Sequence, residues 1–140
     1  MTCELCHGAG GRLLWQNDLA RVVAVDEPGL PGFLRVVAGR HVREMTDLAP
    51  EEATRLLALV LAVERHLRAA MQPDKVNLAS LGNVTPHVHW HVIPRWQDDR
   101  HFPGPVWAPA RHDHPVPSAR AAAARAMEGS LPAALAAFEG

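Results

Sequence analysis

The sequence of 140 residues lacks the features that mark several large classes of protein. Its longest apolar run, 56–63, is far shorter than the about 20 residues that a membrane-spanning helix needs. It has 14 basic and 15 acidic residues, so the formal net charge of -1 speaks against a broad nucleic-acid surface, which needs a basic excess. The first residues show no basic leader followed by an apolar stretch. We therefore expect a cytoplasmic protein that neither crosses a membrane nor binds nucleic acid.

Cysteine is scarce: the chain has two, Cys3 and Cys6, separated by two residues. A disulfide between them would close a trivial loop and contribute little stability. The Cys-x-x-Cys spacing is typical of half a structural zinc site or of a redox pair. Without further context, two reduced thiols near the chain terminus are the simpler interpretation. Histidine, in contrast, is abundant, with nine in the chain.

Hydrophobic patterns predict short strands and one long helix. Pro50 suits the first helical position, Glu51 and Glu52 suit the positive end of the helix dipole, and an apolar stripe with helical spacing continues to Met71. This stripe indicates a helix packed on a sheet. Apolar and β-branched segments separated by turn residues predict five strands, over 13–15, 20–25, 33–38, 75–81 and 84–93.

The chain changes character after Arg95. Five prolines fall within 103–117, which excludes a central strand, so we expect an ordered or semi-ordered loop there. Two tryptophans lie in this part of the chain, Trp96 and Trp107. They are able to stack on a base, but we expect them to be buried anchors or dimer contacts.

The last part of the chain, 118–140, is rich in alanine and favours helix. Gly129 and Pro132 predict a break between two short helices. We therefore divide the chain into a core domain with the Cys-x-x-Cys segment, 1–97, and a tail, 98–140. We expect the tail to pack on the same domain or on a partner subunit.

The most informative segment holds three histidines at alternate positions, His87, His89 and His91. Side chains alternate across a strand, so these imidazoles share one face, with about 7 Å between neighbours. The residues between them are apolar and can pack under the helix: Val88, Trp90 and Val92. Such a row can bind a metal, supply a nucleophile with acid–base groups, or form a polar surface. Strict alternation opposite an apolar face disfavours the last, and spacing alone does not separate the first two.

The segment 87–93, with the pattern His-φ-His-φ-His-φ-φ, resembles the histidine triad family. The resemblance extends upstream through Asn77, Gly82, the long helix and the strand that leads to His41, and its 77–82 segment is similar to a bacterial branch of the family. It implies an α+β fold with a mainly antiparallel sheet of about five strands, one long helix and short C-terminal helices. It also implies a homodimer in which the sheet continues across the interface.

The resemblance implies a nucleotide-conjugate hydrolase. By that analogy His89 attacks the α-phosphate, a nucleotidyl-histidine forms, and water releases the nucleotide. A backbone carbonyl would hold the other ring nitrogen of His89, His91 would hydrogen-bond the phosphate oxygens and assist the leaving group, and His87 would orient the strand. The candidate substrates are small molecules: dinucleoside polyphosphates, such as diadenosine tetraphosphate, and nucleoside phosphoramidates. Two alternatives stay open: nucleotidyl transfer to an acceptor other than water, and a zinc-stabilised nucleotide-binding or partner-binding module with little turnover.

Substrate contacts outside the triad are also implied by the resemblance. It assigns Asn77 and Asn83 to positions near the phosphate and Asp26 to a position near the ribose hydroxyls. Two residues depart from the family pattern. Phe33 stands where many relatives carry a fourth histidine, and Asn83 stands where they often have Gln or Ser. These departures bear on leaving-group protonation and substrate preference and leave the nucleophile unchanged.

The resemblance gives the cysteines a role in metal binding. Zinc-containing relatives have a Cys-x-x-Cys near the N-terminus, a histidine after the third strand, and the first triad histidine. The corresponding residues here are Cys3, Cys6, His41 and His87. Two thiolates and two imidazoles complete a tetrahedral set, which is structural rather than catalytic. His7 is a competing ligand, although it is crowded against Cys6.

Overall fold

One five-stranded sheet organises the protein. The computed structural model describes residues 3–138. In chain order the elements are α1 (Glu4–His7), β1 (Arg12–Gln16), β2 (Ala20–Ala24), β3 (Leu34–Ala38), a 3₁₀ turn (Met45–Asp47), α2 (Pro50–Met71), β4 (Lys75–Ala79), β5 (His89–Arg95) and α3 (Ser118–Ala134). Neighbouring strands pair antiparallel in the order β1-β2-β3-β5-β4. The predicted α+β fold is therefore confirmed.

The two faces of the sheet have different surroundings. One face packs on α2 and α3, and residues at its centre are fully buried, as at Val22, Val36 and Val92. Leu59 and Leu131 fill the same core from the helices. Each such side chain removed from water contributes about 1.5–3 kcal/mol before the entropy of ordering is counted. The opposite face carries the histidines, so the helices stabilise the sheet and leave this face open to other contacts.

Helix α2 has the boundaries that the sequence predicts, Pro50–Met71. At its start the Glu52 carboxylate accepts a hydrogen bond from the Ala49 N–H at 3.0 Å, which satisfies a donor that the helix leaves unpaired. Gln72 ends the helix in a left-handed conformation, with φ 49°, immediately before Pro73. In the part of the chain that the structure describes, no helix is long and apolar enough to cross a membrane.

The C-terminal segment forms one helix, α3, and the prediction of two short helices is wrong. Gly129 lies inside α3, and Pro132 lies in its last turn. Ala124, Met127 and Leu131 form a buried stripe that packs in the main core. Burial of this stripe outweighs the cost of about 1 kcal/mol for a helical glycine and the loss of the one backbone hydrogen bond that residue 132 would otherwise donate. Tertiary packing, which helix propensities do not contain, therefore continues the helix.

The histidine-bearing strand begins later than predicted. β5 starts at His89 rather than at residue 84, because Pro86 cannot donate to the ladder and the residues around it form turns. β4 likewise ends at Ala79 rather than at residue 81, and the chain then turns at Gly82, whose φ of 73° favours glycine. The connection between β4 and β5 therefore carries His87 outside the strand.

A buried ion pair anchors the proline-rich segment that follows β5. Arg95 donates to both oxygens of Asp99, from Nε at 2.8 Å and from Nη2 at 3.1 Å. It also donates from Nη1 to the Asn77 amide oxygen and from Nη2 to the Gly104 carbonyl, both at 2.7 Å. Asp99 further accepts three backbone N–H groups, from Trp96, His101 and Phe102. We name these side chains the Arg95 network; they hold the predicted loop in one ordered arrangement.

Candidate active site and metal centre

His89 and His91 lie on one face of β5, and His87, which precedes the strand, lies on the same side because Val88 between them packs into the helix-covered core. All are buried, with exposed fractions of 1% for His87, 8% for His89 and 5% for His91. On the neighbouring strand β3, Val37 pairs with His89 and Arg35 pairs with His91. The apolar residues of the segment pack into the core with the helices: Val88, Trp90 and Val92. Although the histidines share a face, they join two different groups of side chains.

His87 belongs to a group of two cysteines and two histidines, Cys3, Cys6, His41 and His87, which we name the Cys/His cluster. Their ligand atoms all lie within 4.8 Å of one another. The sulfurs of Cys3 and Cys6 each lie 3.5 Å from Nδ1 of His87, and Nδ1 of His41 lies 3.1 Å from the same nitrogen. The fold therefore brings together all four predicted metal ligands. His7, the competing candidate, is not among them.

The geometry of the Cys/His cluster fits a tetrahedral ion. With metal–sulfur bonds of about 2.3 Å and metal–nitrogen bonds of about 2.05 Å, neighbouring donors lie about 3.3–3.8 Å apart. Four of the six donor separations here run from 3.1 Å to 3.5 Å, and all six are at most 4.8 Å. Nε2–H of His87 donates to the Ala38 carbonyl at 2.7 Å, which leaves the Nδ1 lone pair for a metal. Burial lowers the pKa of His87, so the ring is neutral, as a metal ligand must be.

His89 is held in one tautomer. Its Nδ1–H donates to the carbonyl of His87 at 2.6 Å, so Nε2 carries no proton in the neutral ring. The Ser80 hydroxyl donates to the carbonyl of His89 at 2.7 Å and ties β5 to the chain that follows β4. Burial lowers the pKa of His89, although the hydrogen bond to the His87 carbonyl opposes this shift. An unprotonated nitrogen on a neutral ring is what a nucleophilic histidine requires.

A cavity of about 360 Å³ opens beside His89 and His91. Arg35 and Trp107 line part of it. The N-terminal segment and the β4–β5 connection form its remaining walls, with Glu4, Leu5, Gly10, Leu81, Gly82, Asn83, Val84 and Thr85. Its volume lies in the range of small-ligand sites, and its walls are both apolar and polar, as in such sites. The two histidines of β5 thus line a space that a small molecule can enter.

His91 is surrounded by other rings. The ring centroids of His89 and Trp107 lie 5.0 Å away, and that of Phe33 lies 5.6 Å away, all edge to face. Nδ1 of His91 is buried and has no hydrogen-bond partner among residues 3–138. Burial, with smaller effects of Arg35 and His89, lowers the pKa of His91 to about 4. The ring is therefore neutral at pH 7.

The predicted substrate contacts lie in different places. Asn83 lines the cavity. Asn77 lies on β4, and its amide oxygen accepts a hydrogen bond from Arg95 at 2.7 Å. Asp26 lies at another cavity, where it accepts hydrogen bonds from Arg12 at 3.0 Å and 3.1 Å. The structure therefore brings Asn83, and neither Asn77 nor Asp26, to the cavity beside the histidines.

Two cavity residues are absent from the predicted site. Arg35 interrupts an apolar run in a central strand, and that isolated charge is the signal that could have revealed it. Trp107, predicted as a buried anchor or a dimer contact, is 52% exposed and lies against His91. No pattern in the proline-rich segment distinguishes Trp107 from Trp96, so only the fold assigns it to the cavity.

The fold and the site together define a class of protein. An antiparallel α+β sheet carries histidines at alternate positions, and one of them is held in a single tautomer beside a cavity of ligand size. This arrangement is that of a histidine triad protein. Residues 9–98 match the family described as the HIT domain, and the chain belongs to that family.

Two relatives carry names that concern nucleotide chemistry. The chain is 30% identical over 95 residues to an asymmetrical bis(5'-nucleosyl)-tetraphosphatase of Schizosaccharomyces pombe, which covers 64% of this chain and 52% of that protein. It is 33% identical over 98 residues to an AP-4-A phosphorylase of Mycobacterium tuberculosis, which covers 66% of this chain and 50% of that protein. The chain thus spans about half the length of these two relatives.

Solved structures share the fold over nearly the whole chain. A histidine triad protein from Marinobacter aquaeolei VT8 has a TM-score of 0.73 at 28% identity and covers 93% of this chain and 92% of its own. A Zn-bound histidine triad family protein from Mycobacterium smegmatis has a TM-score of 0.64 at 22% identity and covers 97% of this chain and 94% of its own. The likeness to the second protein shows the fold alone.

Proposed function

We propose that this protein hydrolyses nucleotide conjugates at the phosphorus that bears the nucleoside, with His89 as the nucleophile. The observation that carries the proposal is the hydrogen bond from Nδ1 of His89 to the His87 carbonyl, which leaves an unprotonated nitrogen on a ring that lines the cavity. The names of two relatives support a dinucleoside polyphosphate as the substrate. Nucleoside phosphoramidates form a second substrate class that the same attack would cleave.

In the first step, a bond forms between Nε2 of His89 and the α-phosphorus while the bond from phosphorus to the leaving group breaks. The ring becomes positively charged, and the His87 carbonyl stabilises that charge through the Nδ1–H hydrogen bond. We assign to His91, whose ring centroid lies 5.0 Å from that of His89, the hydrogen bonding of phosphate oxygens and assistance to the leaving group. A polyphosphate leaves as its anion, and an amine leaves after it accepts a proton from solvent.

In the second step, water attacks the phosphorus of the nucleotidyl-histidine and the bond between phosphorus and nitrogen breaks. The nucleoside monophosphate leaves, His89 regains its lone pair, and the proton lost by water passes to solvent. We assign the amide of Asn83, at the cavity wall, to the phosphate oxygens. Contacts from Asn77 and Asp26 to substrate stay predictions, because both side chains are paired elsewhere in the fold.

We propose further that the Cys/His cluster binds one structural zinc ion. Two sulfurs and two imidazole nitrogens are a donor set that zinc prefers, and they occupy all four tetrahedral positions. Bound there, zinc would cross-link the N-terminal segment to the sheet. His87 then has a positioning role, because its ring is held by the cluster and by Ala38 while its carbonyl holds His89. The cluster orients the nucleophile without touching substrate.

We also propose that the protein is a homodimer and is located in the cytoplasm. Strands β1 and β4 are the edges of the sheet within residues 3–138. An edge strand offers unpaired backbone groups with which a second copy can extend the sheet. Analytical ultracentrifugation at micromolar concentration measures the mass, and the mass of a single chain would contradict the dimer.

A second candidate is transfer of the nucleotidyl group to phosphate instead of water. The relative named AP-4-A phosphorylase favours it. Both reactions share the covalent intermediate and differ only in the acceptor. Water yields a nucleoside monophosphate, whereas phosphate yields a nucleoside diphosphate.

Incubation with diadenosine tetraphosphate and with adenosine phosphoramidate, each with and without inorganic phosphate, separates these candidates. AMP and ATP from the tetraphosphate indicate hydrolysis at the α-phosphate, whereas ADP and ATP that appear only with phosphate indicate phosphorolysis. The His89→Asn variant is the control and should release no nucleotide. ADP as the sole product without phosphate would contradict attack at the α-phosphate, and binding without any product would favour a binding module.

A further inference from the structure

Arg35 is a partly buried cation without a counter-ion among residues 3–138. It lies on β3 directly opposite His91 and lines the cavity together with His89. Its Nη1 donates to the Gly10 carbonyl at 2.8 Å, while its Nε is buried and has no hydrogen-bond partner in the described part of the chain. No carboxylate among residues 3–138 forms an ion pair with it. The guanidinium is therefore incompletely satisfied at the wall of the cavity.

A buried guanidinium without all its partners costs free energy unless another group supplies the missing interactions. A charge taken out of water loses hydration, and burial accordingly lowers the pKa of Arg35, although a guanidinium stays protonated at neutral pH. Within residues 3–138, Glu4 is the one acidic residue that lines the cavity, and it forms no ion pair with Arg35. An anion that enters the cavity would supply the partner that the described part of the chain does not provide.

Other cavity residues do not provide this positive charge. Among the residues that the structure describes, Arg35 is the one arginine or lysine that lines the cavity. His91 is neutral at pH 7 because burial lowers its pKa to about 4. Phe33, which immediately precedes β3, contributes an apolar ring against His91. A fixed positive charge beside the histidines therefore comes from Arg35 alone.

We propose that Arg35 binds the phosphate group of the substrate and neutralises the charge that develops on it during the reaction. A guanidinium matches two phosphate oxygens at once, which an ammonium does not. In phosphoryl transfer the charge spreads over the equatorial oxygens, so a fixed cation there stabilises the transition state as well as the bound substrate. The inference rests on the proposed function for the reaction, while the binding of an anionic phosphate rests on the geometry of the cavity.

A binding experiment tests the contact separately from catalysis. Wild-type protein and the variants Arg35→Met, Arg35→Lys and Arg40→Met are titrated by calorimetry with AMP and with adenosine. Arg40 is the matched control, since it follows β3 on the same chain segment but is exposed and pairs with Glu52 at 2.9 Å, outside the cavity. Adenosine lacks the phosphate, so the ratio of its dissociation constant to that of AMP measures the phosphate contact.

We expect Arg35→Met to weaken AMP binding about 10- to 100-fold and adenosine binding by less than about twofold. Arg35→Lys should recover part of the loss, and Arg40→Met should match wild type. Two results would overturn the proposal: AMP binding to wild type no tighter than adenosine, or an equal weakening of both ligands in Arg35→Met, as loss of the Gly10 tether alone would cause. Wild type that cleaves no conjugate would overturn the proposed function, and the binding ratio would still decide the role of Arg35.

Discussion

Two arginines of the central strands, Arg35 on β3 and Arg95 on β5, use the same side chain in opposite ways. Arg95 is 2% exposed, and its nitrogens donate to Asp99, Asn77 and Gly104. Arg35 donates to one backbone carbonyl and leaves its buried Nε without a partner among residues 3–138. The described chain supplies hydrogen-bond partners for the Arg95 guanidinium. It leaves the Arg35 guanidinium incompletely paired, available to a group that the described chain does not contain.

The histidines differ from one another in the same way, by whether their ring nitrogens have partners. His87 has close partners on both ring nitrogens, the Cys/His cluster on one side and Ala38 on the other. His91 has a buried nitrogen with no partner in the described residues and lies beside the cavity. Buried polar groups with all their partners stabilise a fold, whereas those without partners cost free energy and are typical of ligand sites. We therefore infer that the Arg95 network and the Cys/His cluster stabilise the fold, and we propose that the cavity residues carry the chemistry.

The largest expected effect is a loss of activity when His89, which lines the cavity, is replaced. His89→Asn should reduce turnover by more than about a thousandfold, because no ring nitrogen remains to form the covalent bond. Its free energy of unfolding should change by less than about 1 kcal/mol, since the amide N–H can replace the hydrogen bond to the His87 carbonyl. The measurements are kcat/KM with diadenosine tetraphosphate and urea unfolding, with the exposed His114→Asn as control. Turnover within tenfold of wild type in a folded variant would reject the nucleophile.

Replacement of the cysteines should disrupt the Cys/His cluster, which contains His87. Wild type should hold about one zinc per chain and the Cys3→Ser/Cys6→Ser variant none, with a loss of about 4 kcal/mol in stability when zinc exceeds its dissociation constant a thousandfold. Metal analysis and thermal unfolding in buffered zinc measure both effects. His7→Ala, which changes a residue outside the cluster, should retain the metal. A carefully prepared wild type without zinc, or a double variant that keeps it, would contradict the site.

Replacing each arginine by methionine tests the comparison itself. Arg95→Met should destabilise the protein by at least about 3 kcal/mol, because Asp99 would stay buried as an unpaired charge. Arg35→Met should change the free energy of unfolding by less than about 1 kcal/mol, because it removes one hydrogen bond and leaves no acid unpaired. Urea unfolding of the two variants measures the difference. Equal losses would mean that both arginines are structural.

The last prediction concerns the pH dependence of the unfolding free energy, to which Asp99 of the Arg95 network contributes. Burial alone would raise the pKa of Asp99, but Arg95 and three backbone N–H groups lower it to about 2. Because the folded pKa lies below the unfolded value of 3.8, Asp99 contributes about 2 kcal/mol above pH 3.8, and this contribution is lost as the pH falls towards 2. The difference in unfolding free energy between wild type and Asp99→Asn should therefore shrink between pH 5 and pH 2. A difference that stays constant over that range would contradict the shift.

The sequence by itself determined the elements whose patterns are local. Pro50 at a first helical turn and the apolar stripe behind it are sufficient for the boundaries of α2, which agree with the structure. The first three strands also lie where apolar and β-branched segments predict them, with ends that differ by no more than one residue. The shared face of His87, His89 and His91 follows from the two-residue period of extended chain, and the triad pattern indicates the family. These features depend on neighbours a few positions away, which the sequence displays directly.

Only the tertiary structure decided which buried polar groups have hydrogen-bond or ion-pair partners. The cavity brings Gly10, Arg35, His91 and Trp107 together from four separate segments, and no local pattern relates them. The same holds for Asn77, which resembles a substrate contact in sequence but pairs with an arginine 18 positions away. Whether a buried guanidinium finds a carboxylate depends on distant residues that pack beside it, and the hydrophobic patterns that select helices and strands carry no information on that pairing. The roles of Arg35 and Arg95 therefore became distinct only when the sheet was assembled.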